Sequence, residues 1–549
     1  LSPFVFDWVS DGMSYVGGES SWALYVLHVF GAAALVMLPP VTLLGSVFPY
    51  LMKVSEATST GVGRTVGNLI ALNTAGAIVG SLLAGFVLLD AFGLWVGIRL
   101  AAAGYLAGAL LLGARYARSG RLVPLGTAGA VLVVLLVVDT ARLPAVKLDD
   151  TPGAERLLEV WEDSAATVAV VEKRLALGIR DSDGPSHSLR IKVNNYYTLG
   201  GTAAHKWESW QSHLPLWLHE APRSVYYLGM GTGITAGAAL HHPVERVLVT
   251  EIVPAAVTAA RRYFRPYVNG LFDDARARVI VEDGRNYLLG STQRFDVIVA
   301  DLFMPWKSGT GSLYTREHYR AARDRLTDSG LLVQWLPLYQ MGAEEFGTIA
   351  RTLLDVFPMV TLWRGDFFSA APSVALIGHR QRAPLARGAL QQRLARAANP
   401  ASAETPLYHF VPDTPHLLQR RDVPSAAARF LLYYAGNLSA AATLFDDYPV
   451  NTDDRPVIEY RAPITERREV AGGHEWFTGN RLIAFLDRLL ATVPPAQDPY
   501  LAQFTAAEWE LVHAGLLLHR GQVLEYVGDV AQAQIALSKF ARIVFPYAP

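Results

Sequence analysis

Long apolar segments fill the first 140 or so residues, and they restrict the folds open to this chain more than any other feature. Four segments are nearly free of charge: residues 22–52, 66–89, 94–113 and 122–138. About 20 apolar residues in a helix are enough to cross a bilayer. Residues 1–145 are therefore predicted to form a multi-pass membrane region of about four helical spans, with the lipid bilayer as a partner. Buried helices of a soluble core are the alternative interpretation.

The composition of the whole chain excludes several kinds of site. Its formal net charge is −1 and charged residues make up 18%, so no global positive field attracts nucleic acid. It has no cysteine, which excludes thiol nucleophiles, disulfides and cysteine-based zinc sites. The pair His241-His242 has no further metal-ligand residue at a suitable spacing. We therefore expect these histidines to cap a helix, and we expect no metal cofactor.

Residues 223–380 alternate short β-rich runs with helical stretches. Alternation of this kind predicts a largely parallel sheet that is covered by helices on both faces. The predicted strands are residues 224–228, 244–252, 278–281, 295–300 and 331–336, followed by a closing hairpin of residues 360–364 and 373–378. In such sheets, ligands bind at the carboxyl ends of the strands.

Three further regions surround this domain. Residues 155–222 contain runs with strand periodicity at 163–171 and 188–193, which predicts a small β-domain. Residues 381–475 are predicted to be a mixed helical extension. Residues 476–549 are predicted to be a helical cap with helices at 481–492, 506–520 and 530–544. Within this cap, Gly528-Asp529 and the alanines that follow resemble half of a tetratricopeptide-type helix pair.

A glycine-rich turn follows the first predicted strand of the α/β domain. Gly229, Gly231 and Gly233 bring the backbone close to a ligand, although a plain tight turn has the same pattern. Glu251 ends the next strand, where an acidic side chain can accept hydrogen bonds from both hydroxyls of a ribose. A dinucleotide site would need a third glycine at position 234, which is Ile234 here.

Acidic residues also end the third and fourth predicted strands. Asp283, followed by Gly284, can accept from an adenine amino group, and Asp301 follows the fourth strand. Each acid alone is typical of a helix cap or a solvated loop. Their order along the chain instead predicts a nucleoside site for S-adenosylmethionine or its decarboxylated form.

Several stretches in combination resemble the polyamine aminopropyltransferases, or spermidine synthases, and in particular their bacterial membrane-fused branch. These stretches are residues 227–233, 249–252, 282–288, 296–301 and 313–319, together with the Asn-Thr-Asp-Asp-Arg-Pro stretch at 451–456 and Glu459. The resemblance implies a Rossmann-like methyltransferase-type α/β fold with a small N-terminal β-domain. Transmembrane helices would precede these two domains, and a helical C-terminal region would follow them.

The resemblance also implies roles for the strand-end acids. Glu251 would bind the ribose, Asp283 the adenine, and Asp301 would be the catalytic acid/base. The donor would be decarboxylated S-adenosylmethionine and the acceptor a small amine, and a homodimer is left open. A carboxylate close to the attacking amine can position it and take its proton.

The chain differs from the family pattern where a diamine would be held. Met304 stands in place of a second aspartate, and residues 194–198 and 207–209 replace two other polar motifs. Tyr196, Trp207 and Tyr314 are the candidate substrate-binding residues. A cluster of aromatic residues in the same segments could form a cation–π box for an amine, or it could be ordinary packing; its members are Tyr196, Tyr197, Trp207, Trp210 and Trp306.

Two other functions remain open: a methyltransferase that uses intact S-adenosylmethionine, and a membrane transporter or scaffold whose nucleoside domain only senses its ligand. The membrane side is also open. The basic joints around Lys53, Arg64 and Arg115 favour the cytoplasm, which places a domain after four spans outside. Cytoplasmic supply of the donor favours the inner membrane with the domain on its cytoplasmic face. The chain begins at Leu1 and not at Met, so whether a segment precedes it also stays open.

Overall fold

The chain divides into two compact units, Leu1–Leu199 and Gly200–Pro549. In a computed structural model, the described residues are 2–9, 22–56, 61–116, 129–131, 133, 146–149, 151, 153–174, 187–194, 197–397 and 426–544.

The first unit begins with long apolar helices: α1 (Ser2–Val9), α2 (Trp22–Glu56), α3 (Val62–Leu83) and α4 (Leu89–Tyr116), with a π-helical turn between α3 and α4. Within the described residues, two helical stretches are long and apolar enough to cross a membrane, Ala23–Lys53 and Gly63–Leu111. The second bends at Gly93, whose φ is +72°, and so combines two of the predicted spans. The predicted span at 122–138 lies largely outside the described residues.

A four-stranded sheet follows: β1 (Glu155–Glu162), β2 (Thr167–Arg174), β3 (His187–Val193) and β4 (Tyr197–Gly201), in that order across the sheet. The predicted β-domain is therefore present, but the strand predicted at 163–171 begins later. Asp163 instead closes the turn between β1 and β2, because its Oδ1 accepts from the amides of Ala165 and Ala166 at 2.8 Å.

This turn contacts the bend of the helical region. The amide of Ser164 donates to Asp90 Oδ1 at 3.1 Å, and the amide of Leu94 donates to Glu162 Oε2 at 3.1 Å. The β-domain is thus held against the bend at Gly93 within α4.

The second unit contains an eight-stranded sheet with the order β12-β10-β11-β9-β8-β5-β6-β7. Its strands are β5 (Ser224–Leu228), β6 (Arg246–Glu251), β7 (Ala277–Val281), β8 (Phe295–Ala300), β9 (Leu326–Pro337), β10 (Met359–Arg364), β11 (Ser373–His379) and β12 (Tyr434–Asn437). Strands β5 to β9 pair in parallel, and β10 to β12 are antiparallel. The predicted Rossmann-like fold with a closing hairpin is confirmed.

Strand β12 lies in the region that we predicted to be a mixed helical extension. Gly436 in this strand has φ +147°, and a side chain there would meet Leu489 at 2.7 Å. This edge strand therefore depends on close packing against a later helix, the one that carries Leu489. Local composition does not reveal such a contact.

Helices surround the sheet. They are α5 (His205–Leu218), α6 (Ile234–Ala238), α7 (Pro254–Ala259), α8 (Gly284–Gly290), α9 (Arg316–Asp324), α10 (Ala343–Val356), α11 (Arg387–Ala397), α12 (Ala426–Phe430), α13 (Val457–Val470), α14 (Gly479–Thr492), α15 (Ala506–Tyr526) and α16 (Val530–Val544). The last three confirm the helices predicted in the C-terminal cap. Strands β5 and β8 are buried almost throughout, so their carboxyl ends are rigidly placed.

Packing behind the glycine turn supplies a test of this arrangement. A Cβ at Gly237 in α6 would lie 2.2 Å from the carbonyl oxygen of Val268, whereas Gly290 has open space around it. We expect Gly237→Ala to lower the free energy of unfolding by about 1–3 kcal/mol, the usual cost of overpacking. Gly290→Ala, the matched control, should be neutral or stabilising. Urea denaturation of the full chain in detergent measures both, and equal effects would contradict this packing.

Candidate active site

The turn after β5 is built from three glycines in left-handed conformations. The φ angles of Gly229, Gly231 and Gly233 are +88°, +55° and +85°. Side chains other than glycine rarely adopt such angles. Helix α6 begins directly after this turn, so the turn exposes backbone at the carboxyl edge of the sheet.

Glu251 at the end of β6 holds this turn in place. Its Oε2 accepts from the amides of Met230 at 3.0 Å and Gly231 at 3.2 Å, and its Oε1 accepts from the amide of Val253 at 3.0 Å. The residue is 5% exposed. A carboxylate oxygen has about two lone pairs, so Oε1 retains one for a ligand hydroxyl. Its predicted role with ribose stays a prediction.

Asp283 and Gly284 begin helix α8. Asp283 Oδ1 accepts from the amide of Asn286 at 2.9 Å, so this acid caps the helix and its second oxygen remains for a ligand. A side chain at Gly284 would lie 2.6 Å from Leu228 and 2.8 Å from Thr250 Oγ1. Packing therefore already accounts for Gly284, and the predicted adenine contact of Asp283 stays a prediction.

Asp301 follows β8 beside the glycine turn. The pairing of Leu228 with Ala300 brings Gly229 and Asp301 to the same level of the sheet. Asp301 Oδ1 accepts from the amide of Leu302 at 2.7 Å. Burial raises the pKa of Asp301 to about 6, and the negative charge of Glu251 adds to the rise. Asp301 can therefore exchange a proton near neutral pH.

Glu208 is a second acid of this site, and sequence analysis missed it as a functional residue. It projects from α5, where Oε1 accepts from the amide of Gly201 at 2.9 Å and Oε2 accepts from Thr232 Oγ1 at 2.5 Å. Burial raises its pKa to about 7, to which the charge of Asp301 contributes. Thr232 belongs to the glycine turn, so Glu208 is fixed beside the backbone that approaches the ligand.

Tyr339, just after β9, lies close enough to these acids for their charges to affect its ionisation. Burial raises its pKa to about 12, with contributions from the charges of Asp366, Asp301 and Glu208. Asp366 is committed to structure, since it accepts from the amide of Ser373 at 3.2 Å and from its hydroxyl at 2.6 Å. Several acidic side chains thus lie near the carboxyl ends of β5, β8 and β9, and Lys307 in the loop after Asp301 is a cation within electrostatic range of Glu251.

The three candidate substrate-binding residues have different positions. Trp207 is 44% exposed on α5, next to the inward Glu208. Tyr314 is fully buried and its hydroxyl donates to the carbonyl of Phe303 at 2.7 Å, so it supports the loop after Asp301. Tyr196 lies outside the described residues. Trp207 and Glu208 are neighbours on the same helix, and the sequence alone does not show which of the two side chains points into the site.

Of the adjacent histidines, His242 caps the 3₁₀ turn that continues α6, since its amide donates to the carbonyl of Ala239 at 2.9 Å, so the predicted capping role is confirmed for this residue. His242 Nε2 lies 2.8 Å from His213 Nδ1 in a buried pair, and His241 ends a short 3₁₀ turn. Burial lowers the pKa of His242 to about 3 and that of His213 well below its ordinary value. The rings of His213 and His242 are thus neutral near neutral pH, and they pack against each other between α5 and the turn that follows α6.

Similarity to known proteins is concentrated in this domain. Residues 206–363 match the family model described as Spermine/spermidine synthase domain. The polyamine aminopropyltransferase of Aeropyrum pernix is 34% identical over 151 residues, covering 27% of this chain and 48% of the relative. That of Thermotoga maritima is 33% identical over 165 residues, covering 30% and 54%. That of Mycobacterium tuberculosis is 29% identical over 347 residues, covering 58% and 63%. The chain thus spans about half the length of the first two.

The raised pKa of Glu208 makes stability depend on pH. Its pKa is about 7 in the folded chain against 4.5 as the ordinary value, so the folded chain binds more protons in this window. Ionisation of Glu208 therefore opposes folding increasingly as the pH rises through it. We expect the melting temperature of Glu208→Gln, relative to the unsubstituted chain, to rise between about pH 5 and pH 8. A difference that is constant across this range would contradict the burial of an ionisable Glu208.

Proposed function

We propose, because this chain belongs to the spermine/spermidine synthase family, that it transfers an aminopropyl group from decarboxylated S-adenosylmethionine to a small amine. The observation that carries the proposal is the pair of partly buried acids, Glu208 and Asp301, beside a glycine turn that Glu251 holds. In this role Glu251 and Asp283 bind the nucleoside, and Asp301 faces the reacting centre.

The reaction needs a neutral amine and a good leaving group. The amine nitrogen attacks the methylene carbon that is bonded to the sulfonium, and a carbon–nitrogen bond forms. The carbon–sulfur bond breaks, its electron pair returns to sulfur, and neutral 5′-methylthioadenosine leaves. Asp301 takes the proton that the amine gives up, and its pKa of about 6 makes it a stronger base than an ordinary aspartate.

Glu208 supplies a carboxylate that the sequence motifs lack. Met304 occupies the position where the family pattern has a second aspartate. Glu208 reaches the site from α5 instead, and it is anchored to Thr232 and Gly201. We propose that Glu208 forms an ion pair with the second ammonium group of the acceptor, while Asp301 positions the attacking amine and takes its proton.

The acidity of the site also favours the decarboxylated donor over intact S-adenosylmethionine. The intact compound carries a carboxylate, and burial already raises the pKa values of Glu208 and Asp301, with the charge of Asp301 adding to the first and the charge of Glu251 adding to the second. A third negative charge at the same place costs further energy. The decarboxylated donor carries only positive charges, so the same field attracts it.

We further propose that the helical region anchors the enzyme in a membrane. The stretches Ala23–Lys53 and Gly63–Leu111 have the length and hydropathy for it, and their large apolar side chains are mostly exposed. The contact of the β1–β2 turn with Asp90 and Leu94 then places the β-domain next to the bilayer surface. Placement of the domain on the cytoplasmic face stays a prediction that rests on donor supply.

Donor choice tests the proposed function. The purified full chain is incubated with putrescine and either decarboxylated or intact S-adenosylmethionine, and the products are identified by mass spectrometry. We expect 5′-methylthioadenosine and an aminopropylated amine from the decarboxylated donor alone. Formation of S-adenosylhomocysteine and a methylated acceptor, without aminopropyl transfer, would establish the methyltransferase alternative.

Substitutions separate the roles of the two acids. Asp301→Asn should reduce kcat by about 100-fold or more, the usual contribution of a general base, with affinity for 5′-methylthioadenosine nearly unchanged. Glu208→Gln should raise the KM for the diamine by about tenfold or more, as expected when a charged hydrogen-bond partner is lost. Glu510→Gln, an exposed charge removal on α15, is the control. Full activity of Asp301→Asn would remove this acid from the mechanism.

A further inference from the structure

The segment of residues 451–459, which we name the clamp segment, lies outside the part of the chain that matches the family domain. It contacts the loop of residues 302–314 that follows Asp301, here named the active-site loop. Glu459 begins this contact from the first turn of α13. Its Oε1 accepts from the amide of Gly309 at 2.7 Å, and its Oε2 accepts from the amide of Gly311 at 3.1 Å.

The two glycines fit this carboxylate closely. A Cβ at Gly311 would lie 2.7 Å from Glu459 Oε2 and 2.9 Å from Glu459 Cβ, so any side chain there displaces the acid. Gly309 has φ +86°, in the left-handed region that glycine favours. The loop is therefore shaped to present two amides to one carboxylate, which makes both hydrogen bonds charge-assisted.

Asn451 holds the same loop from the other end of the clamp segment. Its Nδ2 donates to the carbonyl of Gly311 at 3.1 Å, and its backbone carbonyl accepts from the amide of Arg316, just after the loop, at 2.9 Å. Asn451 is fully buried, and its Oδ1 accepts from the amide of Ile458 at 3.2 Å. The side chain thus ties the clamp segment to itself and to the loop simultaneously.

Arg285 extends this contact toward the nucleoside side of the site. It projects from α8, two residues after Asp283, and its Nη1 donates to the carbonyl of Ser312 at 2.9 Å. Its Nη2 is paired with Asp453 of the clamp segment. The active-site loop is therefore held between α8 and the clamp segment.

The active-site loop also contacts the residues next to Asp301 and the glycine turn. Tyr314 donates to the carbonyl of Phe303, and a Cβ at Gly229 would lie 3.4 Å from the ring of Phe303. The neighbouring amide of Leu302 donates to Asp301 Oδ1. A displacement of the loop at Gly309 and Gly311 would thus move the groups that orient the Asp301 carboxylate.

We infer that the clamp segment positions the active-site loop, and that Glu459 is the residue that fixes it. Glu459 is a positioning residue: it acts on the loop and does not touch the reactants. The catalytic part of this inference rests on the proposed aminopropyl transfer, whereas the restraint on the loop does not.

Hydrogen exchange of the full chain tests the restraint without any turnover. In Glu459→Ala, both amides lose a charged acceptor, so protection at Gly309 and Gly311 should fall by about tenfold or more. Glu459→Gln keeps one acceptor oxygen, so its protection at these amides should lie between that of the unsubstituted chain and that of Glu459→Ala. Asp454→Asn removes an exposed charge from the same segment, and it should leave protection unchanged. Unchanged protection in a folded Glu459→Ala would overturn the inference.

Kinetics distinguish positioning from general stabilisation. In Glu459→Ala, we expect kcat to fall by about tenfold or more because Asp301 loses its orientation. Affinity for 5′-methylthioadenosine should stay within about threefold, since Glu251 and Asp283 are not displaced. Gly311→Ala, which expels the same carboxylate, should reproduce this split. If protection falls but kcat does not, the loop restraint holds and its catalytic role is overturned. If the unsubstituted chain itself transfers no aminopropyl group from the decarboxylated donor, the proposed function fails, and the loop restraint is still tested by hydrogen exchange.

Discussion

The hydrogen bonds between Glu251 and the glycine turn are the interaction on which the rest of the site depends. Three left-handed glycines in five residues cost conformational entropy, and such a turn needs outside support to hold one shape. Glu251 provides it from the adjacent strand by accepting from Met230 and Gly231. Parallel pairing of β5 with β6 sets the register that allows this contact. The ligand-facing backbone is thereby organised before any ligand arrives.

The two acids Glu208 and Asp301 then influence which ligands can bind at the carboxyl edge of the sheet. Glu208 and Asp301 are both partly removed from water, and each adds to a field that opposes ionisation of its neighbours. An arrangement of this kind lowers the stability of the fold as the acids ionise, and a bound cation relieves the cost. Under the proposed function, stability and binding of a positively charged ligand therefore oppose each other at these two residues, and such perturbed pKa values are typical of functional sites.

The sequence predicted the sheet well because hydrophobic runs and strand-end residues carry strong local signals. Residues 224–228 and 295–300 are strands with the predicted bounds, and the acids predicted at strand ends lie there. Strand β12 and the inward direction of Glu208 escaped prediction, because both depend on packing between segments distant in the chain. The same holds for Glu459, whose motif was recognised but whose contact with Gly309 and Gly311 spans about 150 residues of sequence.

A structure of the full chain bound to 5′-methylthioadenosine tests the central claim most directly. The account predicts one nucleoside at the carboxyl edge of β5, β6 and β8, with its ribose hydroxyls on Glu251 and its adenine next to Asp283. Its sulfur should face Asp301, with Glu208 on the far side of the sulfur. A nucleoside bound elsewhere, or a cleft in which Glu251 and Asp301 do not face the same ligand, would contradict the account.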